Sequence, residues 1–256
     1  MNPSGKYKII SAGTEFWKAA GIKPVYPLTA SDLEHAAFLL YPVNIIKLNH
    51  LSISSINQWL SGNRISNFIH TEEKQLFGLL FVRKGHAFIF LDGTSSPGEQ
   101  LITLAHEIAH YILEIDQPRK IAIAKYGTGI IDVFDGLRQP SESEKLSAII
   151  SHIGVRPHLH LVEKLEMNNE GRWRVWVAES DADALAWELL APEYLVRKRL
   201  KSEGNSLLFN ELKDTLPNLL SDYFQLPQAI AEVYANKLIY SWTSGGPSVA
   251  EWLGLQ

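Results

Sequence analysis

The clearest periodicity in the chain runs from Leu101 to Ile112. Leu101, Leu104, Ala105, Ile108, Ala109 and Ile112 recur at helical spacing, which predicts an amphipathic helix with one buried face. Its start is also readable: Ser96 as N-cap, Pro97 at the first helical position and Glu99 closing a capping box. A second stripe, Ala182, Leu185, Ala186, Leu189 and Leu190, predicts another helix, and its alanines allow close approach to the first. Before the first helix, residues 76–82 and 86–91 are two β-rich runs separated by Arg83-Lys84-Gly85. That is a hairpin pattern, with Gly85 free to take a positive φ. The second strand ends at Asp92-Gly93.

The remaining chain is less sharply written. Residues 1–25 read as a loosely ordered lead with a short helix near 15–20. Ser31-Asp32-Leu33-Glu34 has the form of a capping box opening a helix to about residue 40. Residues 41–48 read as a strand with Pro42 at its start, and 52–60 as a helix stopping at Gly62. Within 115–177, residues 141–153 look helical, while 157–167 and 172–177 form a second hairpin pattern turning at Asn168-Asn169-Glu170-Gly171. Residues 216–242 carry apolar periodicity broken at Leu226-Pro227, as two packed helices would. The pattern is that of an α+β protein. A small mixed or antiparallel sheet packs on the helix around 101–112, with additional C-terminal helices. The expected division is 1–195 as the main domain, with an insertion at about 115–177, and 196–256 as a C-terminal helical region.

At 256 residues and 28.8 kDa, with 46% hydrophobic and 20% charged residues, the chain is an ordinary globular one. A net charge of −4 and a pI near 6.1 give no electrostatic footprint for nucleic acid, and no direct binding to it is expected. There is no signal-peptide core at the N-terminus and no apolar run long enough for a membrane, so a cytoplasmic protein is expected. The absence of cysteine matters most: any metal ligands must be His, Asp or Glu.

That restriction bears on His106-Glu107-Ile108-Ala109-His110, an HExxH motif inside the predicted helix. Positions i and i+4 share a helix face, so both imidazoles can point at one ion, with Glu107 beside a water held there. This is the arrangement of a zinc hydrolase, and two His with a carboxylate would also suit iron or manganese. A catalytic zinc usually has a third protein ligand. The best region for it is the second stripe, where Glu179 and Asp183 both tend towards the buried side of the helix. Buried carboxylates are costly unless paired or metal-bound. Glu179 is the preferred ligand, with Asp181 and Asp183 as rivals. Asp183 could instead accept a hydrogen bond from the outer ring nitrogen of a metal-bound His. His158 and His160 share one face of a strand and read as ordinary surface residues; Tyr111 and Tyr126 are weak candidates for an oxyanion donor.

Three stretches together resemble the ImmA/IrrE metallopeptidase family: Gly78-Leu79-Leu80, then Ala87-Phe88-Ile89-Phe90-Leu91-Asp92, then Thr103 through Leu113 with the HExxH motif at its centre. A second signature follows in Glu179, Ala182-Asp183 and Leu189-Leu190-Ala191-Pro192. The resemblance implies a zincin-like fold and a gluzincin-like site, with one zinc per chain held by His106, His110 and Glu179 and with Glu107 as general base. It also implies a protein substrate of the helix-turn-helix repressor type. The stretch between His110 and Glu179 is longer than is usual in that family, which makes it a cap over the cleft, an obstruction to it, or a partner-recognition element.

Two functions follow. The first is a zinc endopeptidase in which Glu107 activates water, and the strand before the motif helix pairs with an extended substrate by strand addition. The second is a non-catalytic, zinc-stabilised regulator that grips a repressor or antitoxin-type partner through the 115–177 insertion.

Overall fold

The computed structural model describes residues 3–65, 69, 72–142, 144–145, 159–163, 180–202 and 209–243. Four strands form one mixed sheet, β1 (Val43–Leu48), β2 (Leu76–Arg83), β3 (His86–Asp92) and β4 (Leu159–Glu163), in the order β1-β3-β2-β4. The β2–β3 hairpin forms as expected, with Lys84 and Gly85 both at positive φ in the two-residue turn, as a right-twisted hairpin favours. β1 runs parallel to β3, and β4 runs antiparallel to β2.

The sheet is covered on both faces, which explains why β2 reads as a continuous apolar run. Leu79, Phe81 and Phe90 pack with Ile53, Ile56 and Leu60 of helix α3 (Ile53–Gly62). Leu80, Val82, Ala87, Ile89 and Leu91 turn the other way, into the larger core shared with helix α4 (Pro97–His110). A bulge between Leu76 and Gly78 shifts the alternation, so Leu76 joins the α3 side while Phe77 joins the α4 side.

Helix α4 begins as its sequence predicts. The Ser96 hydroxyl accepts from the Glu99 N–H, the Glu99 carboxylate accepts from the Ser96 N–H, and Pro97 occupies the first turn. After His110 the chain winds into one π-helical turn, Tyr111–Asp116, then into α5 (Gln117–Tyr126) and the single-turn α6 (Ile131–Phe134). Helix α7 (Ser180–Leu190) lies against α4, and all five residues of its predicted stripe are buried. α8 (Glu193–Ser202) follows. The C-terminal pair is α9 (Phe209–Asp222) and α10 (Gln228–Trp242), whose buried residues join the same core as Ile108 and Ala109.

Three expectations change at the N-terminal end. The lead is not loose with a short helix near 15–20: helix α1 spans Pro3–Ala19 and buries Ile9, Ala12, Phe16 and Trp17 along one face. Helix α2 spans Ala30–Leu40, and its capping box is Thr29 with Asp32, two residues earlier than Ser31 with Glu34. The strand expected over 41–48 starts at Val43. Of the hairpin expected at 157–177, residues 159–163 are a strand; its second arm, and residues 146–153 of the expected helix, lie outside the described residues. Among the described residues, no helix is long and apolar enough to cross a membrane.

Candidate metal centre

The last two turns of α4 carry His106, Glu107 and His110, and all three are buried. The helix turns both imidazoles the same way, and their Nε2 atoms stand 3.1 Å apart. Two nitrogens bound to one tetrahedral zinc at about 2.0–2.1 Å would sit roughly 3.4 Å apart, so the observed pair is within a few tenths of an ångström of a shared-ion geometry. Each ring has a carboxylate on its other nitrogen. His106 Nδ1 lies 3.0 Å from Asp183 Oδ1 on α7, and His110 Nδ1 lies 2.6 Å from Glu114 Oε1 in the π-helical turn. At His110 a carboxylate acceptor beside Nδ1 favours the ring proton there and leaves Nε2 as the bare donor that a metal needs, while Asp183 stands at ion-pair distance from His106 Nδ1. The donor set and its orientation therefore fit a zinc-type ion.

Glu107 is fully buried, yet carries a carboxylate. Its position is set by Gly78 on β2. A Cβ on Gly78 would collide with Thr103 Cγ2 and come within 3.0 Å of Glu107 Oε1. Only glycine lets the helix and the strand approach this closely. The neighbouring Thr103 hydroxyl is turned back to donate to the Glu99 carbonyl.

The other residues singled out by sequence are distributed as follows. Asp183 is buried beside His106, in the supporting position. Asp181 is exposed at the start of α7. Glu179 and His158 lie outside the described residues, and His160 is known only by its register, opposite Leu80 of β2. Among the described residues, no group of three or more His, Asp or Glu side chains that could hold a metal ion is found. Tyr111 is buried with its ring 4.8 Å from that of Tyr41. Burial pushes its phenol up to about 12 against the pull of Arg119, so it keeps its proton. Tyr126 packs on a separate small cluster of Ala122, Ile130 and Val133.

Gly78 enters the sequence reading only within the family resemblance, without a role, and Glu114 does not enter it. Gly78 stands in a strand otherwise rich in large apolar residues, which is itself a sign of close backbone approach. Glu114 stands four residues after His110, the spacing of a side-chain pair on a helix.

Residues 67–128 match the family model Peptidase_M78, described as the IrrE N-terminal-like domain. The matched span holds the β2–β3 hairpin, the whole of α4 and the π-helical turn. Comparison with curated proteins and with solved structures finds no match.

Proposed function

Since residues 67–128 belong to the ImmA/IrrE peptidase family, we propose that this chain is a zinc-dependent endopeptidase acting on a regulatory protein of the helix-turn-helix repressor class. The observation that carries the reading is the imidazole pair, with Nε2 atoms 3.1 Å apart and a carboxylate behind each ring. His106 and His110 would hold the ion with Glu179 as third ligand, one zinc per chain. The chemistry a zinc ion supplies there is polarisation of the scissile carbonyl and a lowered pKa for water. Glu107 is the proton carrier. Its carboxylate, fixed over Gly78, accepts the proton of the attacking water and passes it to the leaving amine.

The variant Glu107→Gln tests this. It should retain about one zinc per chain by elemental mass spectrometry and lose cleavage by roughly 100- to 10,000-fold. Cleavage at the parent rate would remove Glu107 from the chemistry. Zinc should fall sharply in Glu179→Ala.

One observation favours the second reading, a zinc-stabilised regulator that grips a repressor or antitoxin-type partner. β3, the strand before the motif helix expected to take an extended substrate, is paired on both sides by β1 and β2, and residues 159–163 pair with β2 from Leu76 to Phe81, so β3 offers no open edge for strand addition. Under that reading, Glu107→Gln still relieves repression in cells while cleaving nothing.

A further inference from the structure

The two imidazoles are supported by carboxylates of different origin. Asp183 reaches His106 from α7, on a helix far along the chain, and is almost wholly buried. Glu114 reaches His110 from the same run of helix, and its side chain is 40% exposed. Between His110 and Glu114 the helix changes pitch: α4 ends at His110, and the turn Tyr111–Asp116 is π-helical, with the Gln117 N–H donating to the Ile112 carbonyl five residues back. Single π-turns within helices are uncommon and concentrate at functional sites.

We propose that Glu114 is a positioning residue of the metal centre, accepting the Nδ1 proton of His110 and so holding its Nε2 towards the ion. The inference rests on the metal-centre reading and adds to it a residue that neither sequence motif contains. Three steps support it. A His that donates through Nε2 is neutral and carries its proton on Nδ1. His110 is buried, so that N–H requires an acceptor in the protein. Glu114 Oε1 lies 2.6 Å from that nitrogen, within hydrogen-bond reach, and carries the charge that makes it a strong acceptor. The carboxylate lies against Nδ1, the opposite side of the ring from Nε2, which makes it a support for the ligand and not a ligand itself.

The test is zinc affinity of the full chain, measured by competition with a chromogenic chelator, for the parent, Glu114→Gln and Glu114→Ala. The tautomer of His110 in the metal-free protein is followed by nitrogen NMR. Glu114→Ala should weaken zinc binding about 10- to 100-fold and loosen the Nδ1-protonated tautomer. Glu114→Gln, whose amide oxygen can still accept, should fall between the two. Glu114→Ala should also lower the melting temperature of the metal-free protein, because the buried Nδ1–H loses its acceptor, and Glu114→Gln should recover much of that loss. A purely structural role would lower that melting temperature and leave zinc affinity unchanged. Parent protein that binds zinc, with Glu114→Ala binding it equally tightly, overturns this inference alone. Parent protein that binds no zinc overturns the metal centre and this inference together.

Discussion

Helix α7 buries two carboxylates, Asp183 near its start and Glu188 near its end, 2% and 8% exposed. Burying a carboxylate costs several kcal/mol unless a partner compensates, so each must be accounted for. At the start, Asp183 meets the ring nitrogen of His106 at 3.0 Å. At the end, among the described residues Glu188 accepts the backbone N–H of Glu193 at 3.1 Å, and α1 presses on it so closely that a Cβ on Gly13 would stand 3.1 Å from Glu188 Cγ. Burial, aided by the nearby Glu193 charge, pushes Glu188 up to about 7, against the pull of that N–H and of Lys6. The first carboxylate has as its partner the ring that the proposed function makes a metal ligand. The second caps the turn into α8 and keeps its proton to nearly neutral pH. On the proposed function, the same residue class on the same helix is thus a ligand support at one end and a packing compromise at the other.

The largest effect should come from Asp183→Ala. It removes the carboxylate that stands 3.0 Å from the buried His106 Nδ1, worth about 1–3 kcal/mol, and under the proposed metal centre it loosens a ligand His, worth roughly 10- to 100-fold in metal affinity. Together these amount to about 2–6 kcal/mol in the zinc-loaded protein. Chelator competition and thermal unfolding with and without zinc would measure both parts. Zinc affinity equal to the parent's would show that the two ends of α7 do not differ in kind.

Glu188→Gln should act in the opposite direction and only at higher pH. The ordinary value for a Glu is 4.5, and in the folded chain Glu188 rises to about 7. Between those values the folded chain holds a proton that the unfolded chain releases, so stability falls as pH rises from about 4.5 to about 7, and the loss is complete above that. The whole of that loss is at most about 3 kcal/mol. The amide of Glu188→Gln carries no charge to desolvate and can still accept the Glu193 N–H. Urea unfolding at pH 5 and at pH 8 should therefore show the variant gaining on the parent at the higher pH. Identical pH dependence in both proteins would remove Glu188 as the titrating group.

Much of this contrast was legible beforehand at the metal end and not at the other. The HExxH helix announces itself through local signals, a capping box and a 3.6-residue stripe, and these survive folding unchanged. Asp183 was recognisable because two acids on an apolar stripe demand partners. Glu114 was not, since apolar periodicity carries no mark of the change to a π-turn after His110. The length of helix α1 is not legible in its sequence, because Gly5, Ser11, Gly13 and Thr14 are weak helix formers. Burial of Ile9, Phe16 and Trp17 overrides that local preference, and Gly13 is what lets α1 approach Glu188. β4 was foreseen as part of a hairpin, but its pairing with β2 is a long-range choice that periodicity cannot make. Residue 179, the third ligand that sequence favours, lies outside the described residues, so the metal end rests on its two His and their supports.

The smallest effect is expected from Lys6→Ala, beside Glu188. Lys6 Nζ stands 2.7 Å from Glu193 Oε2 and donates to Ser241 Oγ at 2.8 Å, tying α1 to α8 and α10. Burial pushes Glu193 up, but Lys6, Trp242 and Arg197 outweigh it and hold its carboxyl below the usual range. Losing Lys6 still leaves the Trp242 indole N–H at 2.8 Å and the Arg197 guanidinium at 3.2 Å on the same carboxylate, and Arg197 stays stacked over Trp242. Lys6 is also more than a third exposed, where screening by water and salt reduces an ion pair to about 0–1 kcal/mol. Denaturation of Lys6→Ala should show a loss of that size, shrinking further as salt is raised. A loss above about 2 kcal/mol that salt does not reduce would mean that α1 is held on α7 through this cluster and not by Ile9, Phe16 and Trp17. The far end of α7 would then depend on a specific polar partner as much as the metal end does.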